Sequence, residues 1–81
     1  MALDTLKTAN KAVGVKQATK AIERDQAIMV FLANDAETRV VLPLRELCAQ
    51  KHILVEDVPT MNELGKACGI AVGAAAVAVM K

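Results

Sequence analysis

Residues 27–33 read AIMVFLA, an apolar run with no polar interruption and with Ile, Val and Phe among its members. A strand with one face in water alternates apolar and polar positions, whereas a strand covered on both faces reads as an unbroken apolar run. The segment therefore predicts a doubly covered strand, in a fold that brings helices to both faces of a sheet. At 81 residues the chain has room for one small domain, 1–81, to meet that requirement.

The flanking segments supply the cover. Asp4 is placed to cap a first helix over TLKTANKA, with Leu3 and Leu6 on its apolar side, and Lys11–Val13 predicts a short strand ahead of Gly14. A second helix runs from Val15 to about Arg24. At about 100° per residue, Lys16, Gln17, Lys20, Glu23 and Arg24 share one arc, and Val15, Ala18, Ala21 and Ile22 share the opposite one. After the apolar strand, NDAET reads as a polar loop. Pro43 suits the first turn of a third helix, whose buried stripe is Leu44, Leu47 and Cys48. ILVEDV (53–58) is a further strand, ended by Pro59. Thr60 and Glu63 form a capping box for the helix MNELGKAC, which Gly69 stops, and a strand over Ala75–Met80 closes the chain. The order α-β-α-β-α-β-α-β, with short loops and no internal repeat, predicts an α/β protein: a three-layer α/β/α sandwich around a small mixed sheet.

Composition narrows what such a domain can do. Apolar residues make up 54% of the chain, so it can bury a core, yet it holds one Phe and no Tyr or Trp. The core is therefore aliphatic, and modules that stack unpaired bases on exposed rings are excluded. Net charge is only +1, but it is unevenly spread. Residues 1–24 carry five basic side chains against two acidic ones, and the remainder carries five against seven. The amino-terminal third is the side for an anionic ligand.

Cys48, Cys68 and His52 show no metal-ligand spacing and no CxxC, so free buried thiols in a reducing compartment are expected, with no metal and no cofactor. No basic-then-apolar leader opens the chain. The tail GIAVGAAAVAVMK is too short and too glycine-broken to cross a bilayer of about 30 Å, so a cytoplasmic chain without a membrane partner is expected. No GxGxxG, Walker lysine motif or Ser/Cys-His-acid set is present. Glu56 and Asp57 alternate along a strand and would point to opposite faces. An enzyme is not expected.

Two stretches are not explained by stability. GVKQATKAIERD opens a helix with Gly14 where a capping side chain should stand, and with Lys16, Gln17 and Lys20 close to the end that carries partial positive charge. GIAVG (69–73) puts Ile70 and Val72 in a glycine-flanked loop, either as the start of the next buried strand or as an exposed apolar finger that touches a ligand.

Together GVKQATKAIERD, LANDAE and LGKACGIAVGAAAVAV resemble the kink-turn-binding ribosomal protein family of archaeal and eukaryotic ribosomes and of ribonucleoproteins that guide RNA modification. The likeness is closest to its small bacterial, YbxF-type members and spans essentially the whole chain. It implies the same α/β/α sandwich. It also implies recognition of a kink-turn, a duplex bent at a three-nucleotide bulge beside tandem sheared G·A pairs. The family signature is Gly-x-Asn-Glu-x-x-Lys. Gly14 begins it here, Val15 follows, Lys16 takes the Asn place, Gln17 the Glu place and Lys20 the Lys place. Two of those places depart from the archaeal pattern and look like the bacterial variety.

What the resemblance implies is physically coherent. Sheared G·A pairs leave guanine O6 and N7 in the groove for Lys16 and Lys20, and Gln17 can both donate and accept at a guanine edge. Ile70, Ala71 and Val72 would cover bulged bases with aliphatic surface, Glu37 matches an acidic position that reaches a flipped-out base, and Lys66 would add a phosphate contact. The expectation is thus a monomeric, non-enzymatic protein that binds structured RNA, such as ribosomal RNA or a riboswitch, and not DNA. The rival is a protein-interaction or scaffold domain of the same fold that has lost RNA binding. A nucleotide-binding domain would need a glycine-rich phosphate loop that the chain lacks.

Overall fold

A computed structural model describes residues 10–81. Its elements are β1 (Lys11–Val13), α1 (Val15–Glu23), β2 (Ala27–Ala33), α2 (Thr38–Gln50), β3 (Leu54–Val58), α3 (Met61–Cys68) and β4 (Ala76–Met80). The expected first helix, with its Asp4 cap, falls mostly outside the described residues; Lys11 and Ala12 at its end belong to β1. From β1 onward the alternating order and the mixed sheet follow the expectation.

The sheet runs β1-β4-β2-β3. β4 is antiparallel to both β1 and β2, and β2 is parallel to β3 across the α2 crossover. This puts β2 and β4 in the centre, where their sequences require them to be. Val30, Phe31, Leu32 and Ala33 are consecutive and all fully buried, so both faces of β2 are covered. Ala76, Val77 and Ala78 in β4 are buried in the same way. The second half of the tail that looked too short for a membrane is this central strand, and among the described residues no helix is long and apolar enough to cross a membrane. Burial of Val30, Phe31 and Leu32 is worth about 1.5–3 kcal/mol each, so β2 alone makes a large contribution to stability. β3 lies at the edge, and Leu54 there is 64% exposed.

Helices α1 and α2 pack on each other, α1 also lies on β4, and α3 meets β2, β3 and β4. The buried stripe of α1 is Ala18, Ala21 and Ile22, with Lys16, Gln17, Lys20, Glu23 and Arg24 exposed, which is the predicted amphipathic split. One expectation fails. Pro43 is not in the first turn of α2 but at its sixth residue. The helix starts earlier because the Glu37 carbonyl already accepts from the N–H groups of Val40 (2.9 Å) and Val41 (3.2 Å). Pro43 then forfeits one bond, to the Arg39 carbonyl, in a helix anchored by buried Val41, Leu44 and Cys48. Cys48 and Cys68 are both buried and free, and burial raises both thiol pKa values.

Candidate nucleic-acid interface

The start of α1 is built without the usual devices. Gly14 occupies the N-cap with φ +102°, among the described residues no side chain caps the first-turn N–H groups, and that turn contains no acidic residue. The Gly14 N–H donates to the Ala76 carbonyl (2.8 Å) and its own carbonyl accepts from Ala18 N–H (2.8 Å). The left-handed φ favours glycine, and the space where a Cβ would stand is open, with nothing within 4 Å. A surface can therefore approach the backbone at this point. Lys16, Gln17 and Lys20 project into solvent beside it, and among the described residues no carboxylate pairs with either lysine. Val15 is half-buried and anchors the turn.

Backbone bonds draw three loops to this end of the sheet. Gly14 is tied to Ala76, Ala33 N–H donates to the Ala75 carbonyl (3.0 Å), and Asn34 N–H donates to the Val58 carbonyl (2.7 Å). In addition, the Asp35 carboxylate accepts from the Met61 N–H at 2.7 Å, joining the turn after β2 to the start of α3. The start of α1, the turn 34–37 and the loop 69–75 are thus neighbours. The loop 69–73 is not the beginning of β4. Its Ala71, Val72 and Gly73 are exposed, Val72 by 70%, while Ile70 is half-buried against the core. Residues 71–73 are therefore an exposed segment and not the start of a buried strand, while Ile70 packs on the core.

The remaining candidates lie further out. Glu37 is the N-cap residue of α2 but makes no capping bond; its carboxylate pairs with Arg39 Nε at 2.6 Å, so any other partner has to compete with that arginine. Lys66 is exposed on α3, next to the residue on which the loop rests. Lys20 sits a turn below Lys16 and shares with Lys11, Gln17, Arg24 and Gln26 a cleft of about 330 Å³ beside β1, lined by no carboxylate among the described residues. A more apolar groove of about 490 Å³ runs between α1 and α2, past Val15, Thr19, Val40, Pro43 and Leu47. Among the described residues no cluster of His, Cys, Asp and Glu could hold a metal ion.

Residues 2–81 match the ribosomal protein L7Ae/L30e/S12e/Gadd45 family. The chain belongs to that family. Among its relatives is an RNA-binding protein of Halalkalibacterium halodurans, 46% identical over 69 residues that cover 85% of this chain and 84% of the relative. Another is the large ribosomal subunit protein eL8 of Halobacterium salinarum, 45% identical over 98% of this chain and 70% of the relative. The fold superposes on a 15.5 kD RNA-binding protein of Giardia lamblia with a TM-score of 0.89 and 28% identity, across 98% of this chain and 70% of that one. The resemblance read from GVKQATKAIERD, LANDAE and LGKACGIAVG is borne out at the level of family and fold.

Two features of this L7Ae-family chain escaped the sequence reading. Asp35 carried no signal, because its partner is a backbone N–H reached only in the folded chain. Gly65 did carry one: a glycine inside a helix that needs no turn there.

Proposed function

We propose that the chain is a non-enzymatic RNA-binding protein that recognises the kink-turn and stabilises its bent form. The observation that carries the reading is the start of α1, which among the described residues has no capping side chain and no paired carboxylate, set beside the loop whose residues 71–73 are exposed at one end of the sheet. That pairing suits an RNA in which crowded phosphates and unstacked bases lie close together. The open Gly14 backbone admits the RNA, the first-turn N–H groups face phosphate, and Lys16, Gln17 and Lys20 meet guanine edges. Ile70, Ala71 and Val72 cover bulged bases, Lys66 adds a phosphate contact, and Glu37 reaches a flipped base once it leaves Arg39.

The relatives, named as RNA-binding and ribosomal proteins, support the same class of ligand and a cytoplasmic, ribonucleoprotein-associated place for the chain. A protein that binds only the bent form shifts a kink-turn's population by its differential affinity, without chemistry.

The test is a calorimetric titration of two duplexes, one with a standard kink-turn and one with Watson–Crick pairs in place of the sheared G·A pairs. Tight binding to the first and weak binding to the second is the expected result. Equal binding to both would reduce the site to a generic basic patch. Binding to neither by folded protein would overturn the RNA reading in favour of a protein partner.

A further inference from the structure

Glycine in a helix interior is about 1 kcal/mol less favourable than alanine, so Gly65 in the middle of α3 calls for a reason. The reason is the loop that follows. A Cβ on Gly65 would stand 2.1 Å from the Val72 carbonyl oxygen, 3.0 Å from its carbon and 3.1 Å from Gly73 Cα. All three are backbone atoms, so no side-chain rotation could relieve the clash.

The loop is strapped to the helix at both ends. Ile70 N–H donates to the Gly65 carbonyl and Ala74 N–H to the Met61 carbonyl, each at 3.1 Å. Met61 and Gly65 are four residues apart and share one face of α3. Gly73 lies over Met61, where an added Cβ would come within 3.1 Å of the Met61 Cβ. The chain therefore lies flat along a glycine-lowered strip of helix. Because the Val72 carbonyl points down onto that strip, its side chain stands out in solvent, 70% exposed.

We propose that Gly65 is a positioning residue for RNA recognition: it sets the height at which the Ile70–Val72 edge meets an unpaired base, and so governs the preference for a bulge beside the sheared pairs. The inference rests on the kink-turn reading and adds to it a residue that touches no RNA. Dispersion contact falls off steeply, and a gap of about 0.5–1 Å forfeits a quarter to a half of the well, so lifting the loop slightly is enough to uncouple Val72 from a base.

The experiment titrates wild type, Gly65→Ala, Val72→Ala and the double variant against three RNAs. These are a kink-turn, the same RNA with abasic bulge nucleotides, and the same RNA with Watson–Crick pairs replacing the sheared pairs. Gly65→Ala is expected to bind the kink-turn about tenfold more weakly and to lose the distinction between base-bearing and abasic bulges. Its discrimination against the Watson–Crick duplex, which belongs to α1, is retained. Val72→Ala shows the same pattern, and the double variant is no weaker than either single one.

Gly73→Ala, whose Cβ would stand 3.1 Å from Met61 Cβ and 3.3 Å from the Met61 carbonyl carbon and oxygen, a milder crowding than at Gly65, gives a smaller loss of the same kind. It replaces Gly65→Ala in the cycle should that variant fail to fold by circular dichroism. The proposal is overturned by a folded Gly65→Ala that binds like wild type, by equal losses on all three RNAs, by strictly additive effects, or by a Val72→Ala that changes nothing. A wild-type protein that fails to separate the kink-turn from the Watson–Crick duplex overturns the underlying reading instead.

Discussion

Helices α1 and α3 begin in opposite ways, although they are of similar length and sit on the same sheet. Helix α3 has what a stable helix start needs. Thr60 Oγ1 accepts from Glu63 N–H at 3.0 Å, Asp35 accepts from Met61 N–H, Glu63 lies in the first turn, and Gly69 closes the far end in the left-handed conformation. Helix α1 has an N-cap glycine, no capping side chain, no acidic residue in its first turn, and two lysines within its first six positions. One start is satisfied from within the protein, and the other has no such cap among the described residues, which on the proposed reading is where RNA binds. Local rules broken without an evident gain in stability are expected at functional sites, and the start of α1 is the candidate here.

The largest effect expected is on binding at α1. Lys16→Ala with Lys20→Ala removes two cationic contacts and should weaken kink-turn binding about a hundredfold, with the circular dichroism spectrum unchanged. Each lysine that contacts phosphate should also lower the slope of log affinity against log salt by about 1, read from titrations over a salt series. A protein-scaffold role predicts no loss of partner binding from the same pair.

At α3 the sensitivity is reversed. Thr60→Ala should cost about 1 kcal/mol of stability in a denaturant titration, with RNA affinity nearly unchanged once the folded fraction is corrected for. Lys16→Glu sharpens the contrast at α1. It places a carboxylate where the helix end favours one and should raise stability by about 0.3–1 kcal/mol at low salt, while abolishing RNA binding. A gain in stability with a loss of function is what separates a ligand-facing helix start from a poorly made one.

The smallest effect concerns the buried thiols. Burial raises the pKa of Cys48 and of Cys68, so the folded state favours the neutral form. That contribution is complete below the unfolded thiol value of about 8.5 and is lost as pH rises through the higher folded values. Denaturant midpoints should therefore hold steady through neutral pH and fall in the alkaline range. Cys48→Ala with Cys68→Ala should flatten that fall, and alkylation of either native thiol should be slow until the chain unfolds.

Much of this was legible in the sequence because it depends on neighbours along the chain. The apolar run 27–33 announced a central strand, the spacing of Ala18, Ala21 and Ile22 announced the buried side of α1, and Thr60 with Gly69 bounded α3. Pro43 misled because a proline's preference for a first turn is weaker than the pull of a buried stripe, and α2 extends upstream of it. At the candidate interface, Gly14, Lys16, Gln17 and Lys20 could be named, since they lie within the first two turns of one helix. Their proximity to Ile70–Val72 could not be read, because it rests on backbone bonds between Gly14 and Ala76 and between Ala33 and Ala75. Glu37 could be named too, but not its pairing with Arg39, which is a matter of side-chain conformation.

The most direct measurement is a backbone amide chemical-shift map on addition of a kink-turn RNA. The largest changes are expected at Val15, Lys16 and Gln17 and at Ile70 to Gly73, with little change at Val40, Leu44 and Leu47 in the groove between α1 and α2. Shifts centred on that groove, with the α1 amides unmoved, would contradict the assignment of the uncapped helix start as the RNA-reading end.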